Sequence, residues 1–391
     1  MEILYYRYGS ICEPATIKCF EKMGITVLED TAQITKKNVS PQEIVENVSD
    51  TLKKHHPLFV FSINYFPVLS KVCNLFQIPY VCWTVDAPVL ELFSEALALP
   101  CNRVFLFDRA QYEYFSKRAP GNCFYLPLAT DVSLWNQTTS SASLANLSKF
   151  TSDISFVGSL YTEKDPFAKI KGLSQHALGF ADGLLAAQKA VYGYNFLEES
   201  LTPEIIDEFG KVVPDMYRDD YHPSPSYVLA HTILGYHLAA IEREETLNLL
   251  GSTYNVSLYT RSDTSPLQGI TNKGGAKTLT EMPLIFHQSK INLNMTIRPI
   301  QTGLPQRIFD ICGCGGFLMT NYQSELPEYY ELGKEVIAFT SLEELHELCG
   351  YFLTHEEERA KIAQAGYERT KNEHTYEKRI TEMIRLVNTS I

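Results

Sequence analysis

In the stretch RPIQTGLPQRIFDICGCGGFLMTN, residues 298–321, a guanidinium and a carboxylate stand three apart, Arg307 and Asp310, among apolar residues and glycines. Ile308, Ile311 and Cys312 recur at i, i+3 and i+4, one face of a helix, which leaves Arg307 and Asp310 off that face and adjacent to each other. Pro305 suits a first helical turn, with Thr302 and Gly303 just before it. The unpaired N–H groups of such a helix start favour an anion. A phosphate there, with Arg307 beside it and Asp310 accepting from ribose hydroxyls, describes a nucleotide site. The same spacing equally describes an i,i+3 salt bridge on a solvated helix.

Other candidates lie just after apolar strands. Asp86 follows PYVCWTV directly, an expensive place for a carboxylate unless it faces a cleft, where it would serve as a general base. The alternative is an Asp-x-Pro turn capping the helix that follows. Asn64 in NYFP and Trp83 in WTVDAP share that carboxyl edge, and Arg261 in LYTRSD is placed to approach a base or phosphates. Gly9 and Ser10 in RYGSICEP form a strand-to-helix turn able to close over phosphates, but without G-x-G-x-x-G the nicotinamide-cofactor reading loses its motif. Arg218–His222, RDDYH, has the look of a metal cluster, yet sits between proline-containing loops and reads as solvated. His374 in EHTY reads as a cap or a packing group.

The elements that position these groups alternate. EILYYRY, ITVLED, LFVFSIN, PYVCWTV, RVFLFD and CFYLPLA are apolar strands, and helices near 13–23, 41–55 and 66–76 separate the first four. Runs apolar throughout and spaced by helices predict a parallel sheet covered on both faces. Residues 136–152 are small, polar and nearly uncharged and read as a surface connection. DISFVGSL opens a second α/β region, interrupted by helical patterns from about 163 to 250 and resumed by NVSLYT, INLNMTI, FLMTN and EVIAFTS. The expected division is an N-terminal Rossmann-like domain over 1–150, a second over 151–375 with the helical insertion, and a last helix, 376–391, packing back on the first. Two such domains put a cleft at the carboxyl ends of two sheets.

The run EMPLIFHQSKINLNMTIRPIQTGLPQRIFDICGCGGFLMTNYQSELPEYYELGKEVIAF closely resembles the nucleotide-binding half of the glycosyltransferase family that includes the spore maturation protein CgeB. LTHEEERAKIAQAGYERTKNEHTYEKRI fits that family's C-terminal helices, and VFSINYFPVLSKVCNLFQIPYVCWTVDAPV looks like the domain preceding this half in many bacterial members. The resemblance covers roughly residues 55–95 and 150–385. It implies an α/β GT-B fold, a nucleoside-diphosphate sugar as donor rather than a resident cofactor, and a glycan, polysaccharide or protein acceptor. Carried over residue by residue, Asp310 takes the ribose position, Arg307 the arginine before it, and Arg298, Thr302 and Gly303 the loop facing the diphosphate. Retaining members often carry two glutamates separated by seven residues; Thr302 stands where the first would be, which leaves the stereochemical course open. An epimerase or hydrolase acting on the nucleotide sugar, and a catalytically silent binding module, remain as alternatives.

The totals bound the rest. With 391 residues, 45% hydrophobic, the chain supplies cores for two or three domains. Acidic residues outnumber basic ones 46 to 34, the net charge is -12, and no basic run appears, which excludes a nucleic-acid footprint. Nine cysteines, odd in number and mostly in apolar segments, read as reduced, buried thiols. Cys312 and Cys314 form a lone C-x-C pair that packs beside a glycine turn, so no metal is expected. No stretch reaches the roughly 18 to 20 apolar residues of a membrane span. MEILYYRYGS opens with an acid and lacks a basic leader, so the expected location is the cytoplasm.

Overall fold

The computed structural model describes residues 1–36, 38–213, 216 and 221–389. The short apolar runs of the first third become six strands, β1 (Glu2–Tyr6), β2 (Thr26–Asp30), β3 (Val60–Ile63), β4 (Tyr80–Trp83), β5 (Asn102–Leu106) and β6 (Cys123–Tyr125). They pair in parallel in the order β2-β1-β3-β4-β5-β6. Every residue of β3 and β4 is buried, as strands covered by helices on both faces must be. Local signals start the helices. Ser40 caps Pro41–His55 by accepting from Glu43 N–H while the Glu43 carboxylate takes the Ser40 N–H, a reciprocal box. Because β1 lies between β2 and β3, the strand order reverses at the β1/β3 boundary, the place where open α/β sheets bind ligands.

The second sheet contains β7 (Ser152–Val157), β8 (Val256–Tyr259), β9 (Ile270–Asn272), β10 (Ser289–Asn294), β11 (Leu318–Asn321) and β12 (Ile337–Phe339). Its order, β12-β11-β10-β7-β8-β9, is that of a doubly wound Rossmann sheet, with the reversal between β7 and β10. Contacts divide the chain into two compact units: Met1–Ala129 with Thr375–Ile391, and Thr130–Arg218 with Pro223–His374. In the first, the closing helix Tyr376–Thr389 packs on Glu13–Lys22. Tyr376 meets the Trp83 ring edge-on at 6.0 Å, and Arg379 Nε donates to the carbonyls of Pro127 and Leu128.

Residues 136–152, read as a surface connection, do lie largely at the surface, but mostly in helices Val132–Ser141 and Leu144–Ser148. Asp131 and Ser143 cap the two, and the Thr138 and Thr139 hydroxyls bond back to carbonyls four residues earlier. Composition points to a loop when hydroxyl residues dominate, but buried Trp135 anchors the first of these helices.

Between β7 and β8 the second unit carries helices Gln175–Lys189, Leu197–Ser200 and Pro203–Gly210, with a core of their own that includes Leu185, Phe209, Leu229 and Leu238. The crossover helix Gly235–Gly251 continues backwards into this insertion through a π-helical stretch, Val228–Leu234. Arg243, on the crossover helix and only 8% exposed, donates from Nη1 to the Ser159 carbonyl at 2.5 Å and from Nη2 to the Met295 carbonyl at 2.9 Å. It thereby joins the loops leaving β7 and β10. Replacing Arg243 with methionine keeps most of the volume and leaves both carbonyls unpaired, so urea unfolding should show a loss of about 2–4 kcal/mol. A loss under about 1 kcal/mol would mean that the bridge does not hold these loops.

Candidate functional site

Where β7 ends, Gly158 and Ser159 carry the chain outward, and the N–H of Leu160 donates to Ser262 Oγ at 2.8 Å, tying this loop to the one after β8. Beside them opens a crevice of 490 Å³, lined by both loops, by Gly275, Ala276 and Thr278, and by Met282 and Arg307. Lys164, Arg261 and Arg307 all line it against one carboxylate, Glu163. Burial pushes Glu163 up, but the Ser159 hydroxyl and the neighbouring Lys164 outweigh it and hold the carboxyl below its ordinary value. Three cations against one anion leave an excess of two positive charges in a strongly acidic chain. That is the complement of a diphosphate.

Each cation is set by its surroundings. The half-buried Arg307 guanidinium lies over the Phe286 ring at 5.3 Å, and its one hydrogen bond among the described residues goes to the Met282 sulfur, a weak acceptor. Burial lowers its pKa, and the nearby Asp310 partly offsets that. Arg261 is exposed and runs past Gly275, where an added Cβ would stand 2.7 Å from its side chain. Lys164 sits over the Tyr161 ring at 5.4 Å. The crevice thus unites Arg261 and Arg307 with a lysine that sequence reasoning missed, because nothing in YTEKD marks it.

Other predicted donor residues are placed differently. Asp310 is 2% exposed and accepts from Thr130 Oγ1 at 2.7 Å, while Trp135 Nε1 donates to that same hydroxyl at 2.6 Å. Its carboxylate faces this buried chain, not an opening for a ribose, because the apolar spacing of helix Gln306–Gly313 turns residue 310 inward with Phe309 and Ile311. No ion pair joins it to Arg307 among the described residues, so the solvated i,i+3 bridge is not formed either. Arg298 is 5% exposed and held by Glu242 Oε1 at 2.5 and 3.0 Å, with Nη1 on the Val191 carbonyl. It pins the insertion to the loop after β10 and faces no diphosphate. Thr302 donates to Glu325 Oε1 at 2.6 Å, and the Gly303 carbonyl accepts from Gln323, so both belong to a closed loop and neither lines the crevice.

In the first unit the carboxyl ends of β1, β3 and β4 bring together Tyr8, Asn64 and Asp86. Asn64, at φ 59°, donates from Nδ2 to Asp86 Oδ2 at 2.6 Å and to Tyr8 Oη at 2.9 Å, and accepts from Val85 N–H at 2.9 Å. Burial, and then the Asp86 charge, raise the Tyr8 phenol well above its ordinary value. Asp86 itself is exposed and oriented, a geometry that suits a proton acceptor. The turn at Gly9 and Ser10 is occupied from within. The N–H groups of Tyr8, Gly9 and Ser10 all donate to Glu13 Oε1 at 2.9–3.1 Å, and Arg7 binds the other oxygen. Fully buried Glu13 fills the place expected for a phosphate. Trp83 is no cleft residue; it is wholly buried, with Nε1 on the Leu126 carbonyl.

Of RDDYH, residues 218–220 lie outside the described residues. Among the described residues no three His, Cys, Asp or Glu side chains gather as a metal site, and no helix is long and apolar enough to cross a membrane.

Residues 237–385 match the family described as Glycosyl transferase-like. No curated protein matches the chain in sequence. Solved structures of similar fold include Anabaena Alr3699/HepE in complex with UDP and glucose, at 12% identity and TM-score 0.54 over 100% of both chains. Sucrose-phosphate synthase from Thermosynechococcus elongatus follows at 9% and 0.53, over 100% of this chain and 98% of that one. UDP-GlcNAc 2-epimerase from Neisseria meningitidis bound to UDP-GlcNAc stands at 12% and 0.50, over 98% and 99%. At such identities the likeness concerns the fold: two six-stranded parallel sheets with their helices, the α/β arrangement of GT-B proteins.

Burial pushes the Asp310 carboxyl up to about 6, against the pull of Arg307 and of its hydrogen bonds. A folded-state value above the unfolded one favours the protonated form, so this contribution is full below about pH 4 and is lost as pH rises through 6. Two units correspond to about 3 kcal/mol. Unfolding of the native chain should therefore become easier between about pH 4 and 6.5, and Asp310→Asn should flatten that slope. An unchanged slope in the variant would show that Asp310 titrates normally.

Proposed function

We propose that this protein is a glycosyltransferase of the CgeB-like kind, moving a sugar from a nucleoside-diphosphate donor to a hydroxyl of a polysaccharide, glycan or protein. The observation that carries this reading is Arg307: a half-buried guanidinium in a crevice with Arg261 and Lys164, bonded among the described residues only to a thioether. A guanidinium so placed lacks the oxygen ligand it is built to grip. The match of residues 237–385 to a glycosyltransferase-like family, and the UDP complex of a structural neighbour, support a nucleoside diphosphate as that ligand.

In the reaction, the acceptor oxygen forms a bond to the donor sugar's C1 as the bond from C1 to the diphosphate oxygen breaks, and the electron pair leaves with the nucleoside diphosphate. Lys164, Arg261 and Arg307 lie ready to stabilise that charge, and so meet by fixed cations the need a bound metal would otherwise meet. Asp86, held by Asn64, takes the acceptor's proton.

Arg261→Ala and Arg307→Ala should each weaken nucleoside-diphosphate binding by about 1.5–3 kcal/mol in titration calorimetry, and addition of a chelator should leave binding intact. Unaltered affinity in both variants would place the donor elsewhere. Asp86→Asn should abolish transfer with donor affinity retained, measured by release of nucleoside diphosphate in the presence of acceptor. Undiminished transfer removes Asp86 from the mechanism, and turnover of donor without acceptor favours the epimerase or hydrolase reading.

A further inference from the structure

A second cavity, 330 Å³ in volume, lies in the same unit and shares no lining residue with the crevice. It exists because of the insertion. The end of helix Gln175–Lys189 and the following turn close over the crossover helix Gly235–Gly251 and over the start of helix Leu342–Thr354, just beyond β12. Its size falls within the range of small-molecule sites, and Ala186, Ala190 and the Tyr192 ring give it an apolar side.

Its polar side is unevenly matched. Glu242, Glu245 and Glu343 line it together with Lys189. Glu245 is paired with Lys189 at 2.5 Å, and Glu242 with Arg298 through Oε1. Glu343 has no ion-pair partner among the described residues, so three carboxylates face two cations. The Tyr192 phenol sits among them: burial and then Glu242, with smaller contributions from Glu343 and Glu245, push it up to about 12, against the pull of Arg298. Thr246, 3% exposed, lines the cavity and its hydroxyl makes no hydrogen bond among the described residues. A helical threonine usually bonds back to a carbonyl a turn earlier, as Thr232 does here. A hydroxyl with no protein partner at the wall of a cavity is available to a polar ligand.

We propose that this cavity binds a small hydroxylated amine of about hexosamine size, its ammonium taken by Glu343 and Glu242 and a hydroxyl by Thr246. The excess carboxylate selects the cation, and the threonine selects a hydroxylated ligand over a plain alkylamine. The inference stands on the insertion and the crossover helix and is independent of what occupies the crevice.

Titration calorimetry of the full chain with glucosamine, glucose and N-acetylglucosamine tests it. Glucosamine should bind saturably, and at least about tenfold more tightly than either sugar lacking a free amine. Thr246→Val, nearly isosteric, and the exposed Glu343→Gln should each weaken glucosamine about fivefold or more, with thermal unfolding unchanged as the check on folding. Absence of glucosamine binding, equal binding of the three sugars, or native affinity in both variants would overturn the proposal.

Discussion

Arg243 is the point on which the second unit turns. A guanidinium withdrawn from water is tolerated only where its donors are met, and here two backbone carbonyls meet them while the Tyr161 and Phe156 rings cover its faces. Those carbonyls belong to the loops after β7 and β10, the two strands at which the strand order reverses. Fixing both loops to one helix sets where the Gly158–Ser159 turn points, and so where the cations of the crevice stand. Arg298 fastens the loop after β10 a second time, to the crossover helix through Glu242 and to the insertion through the Val191 carbonyl. Two arginines that look alike in the sequence to Arg307 are thus internal fasteners, and Arg307 is the one left open.

The same contrast runs between the units. Each has a turn leaving its first strand toward a helix, the usual place for a phosphate on an open α/β sheet. In the first unit three N–H groups converge on an anion, but it is the chain's own Glu13, so the turn is rigid and filled. In the second the Gly158 and Leu160 N–H groups are taken by the end of β8 and the loop after it, and three basic side chains line the crevice beside the turn. A chain with a net charge of -12 therefore carries one locally positive crevice, and the acid excess elsewhere does not cancel it, because screening confines such fields to about 10 Å.

Much of this was legible beforehand. Apolar runs of four to six residues spaced by amphipathic helices determined two parallel sheets, since strands buried on both faces admit no other pattern. The interruption after DISFVGSL determined the insertion, the carboxyl-edge rule brought Asp86, Asn64 and Arg261 forward as candidates, and helical spacing brought Arg307. What periodicity does not report is direction within a helix: spacing put Asp310 beside Arg307, and only packing against Thr130 and Trp135 turned it inward. Nor does spacing reveal whether a charge already has a partner. Glu242 lies 56 residues before Arg298, and Glu13 becomes a ligand of Gly9 and Ser10 only once the turn has closed. Composition and pattern decide which segments are strands and helices, because burial is set by local periodicity. Which polar groups are free to meet a ligand was decided by tertiary structure alone, because hydrogen bonds and ion pairs form between groups that the chain brings together only on folding.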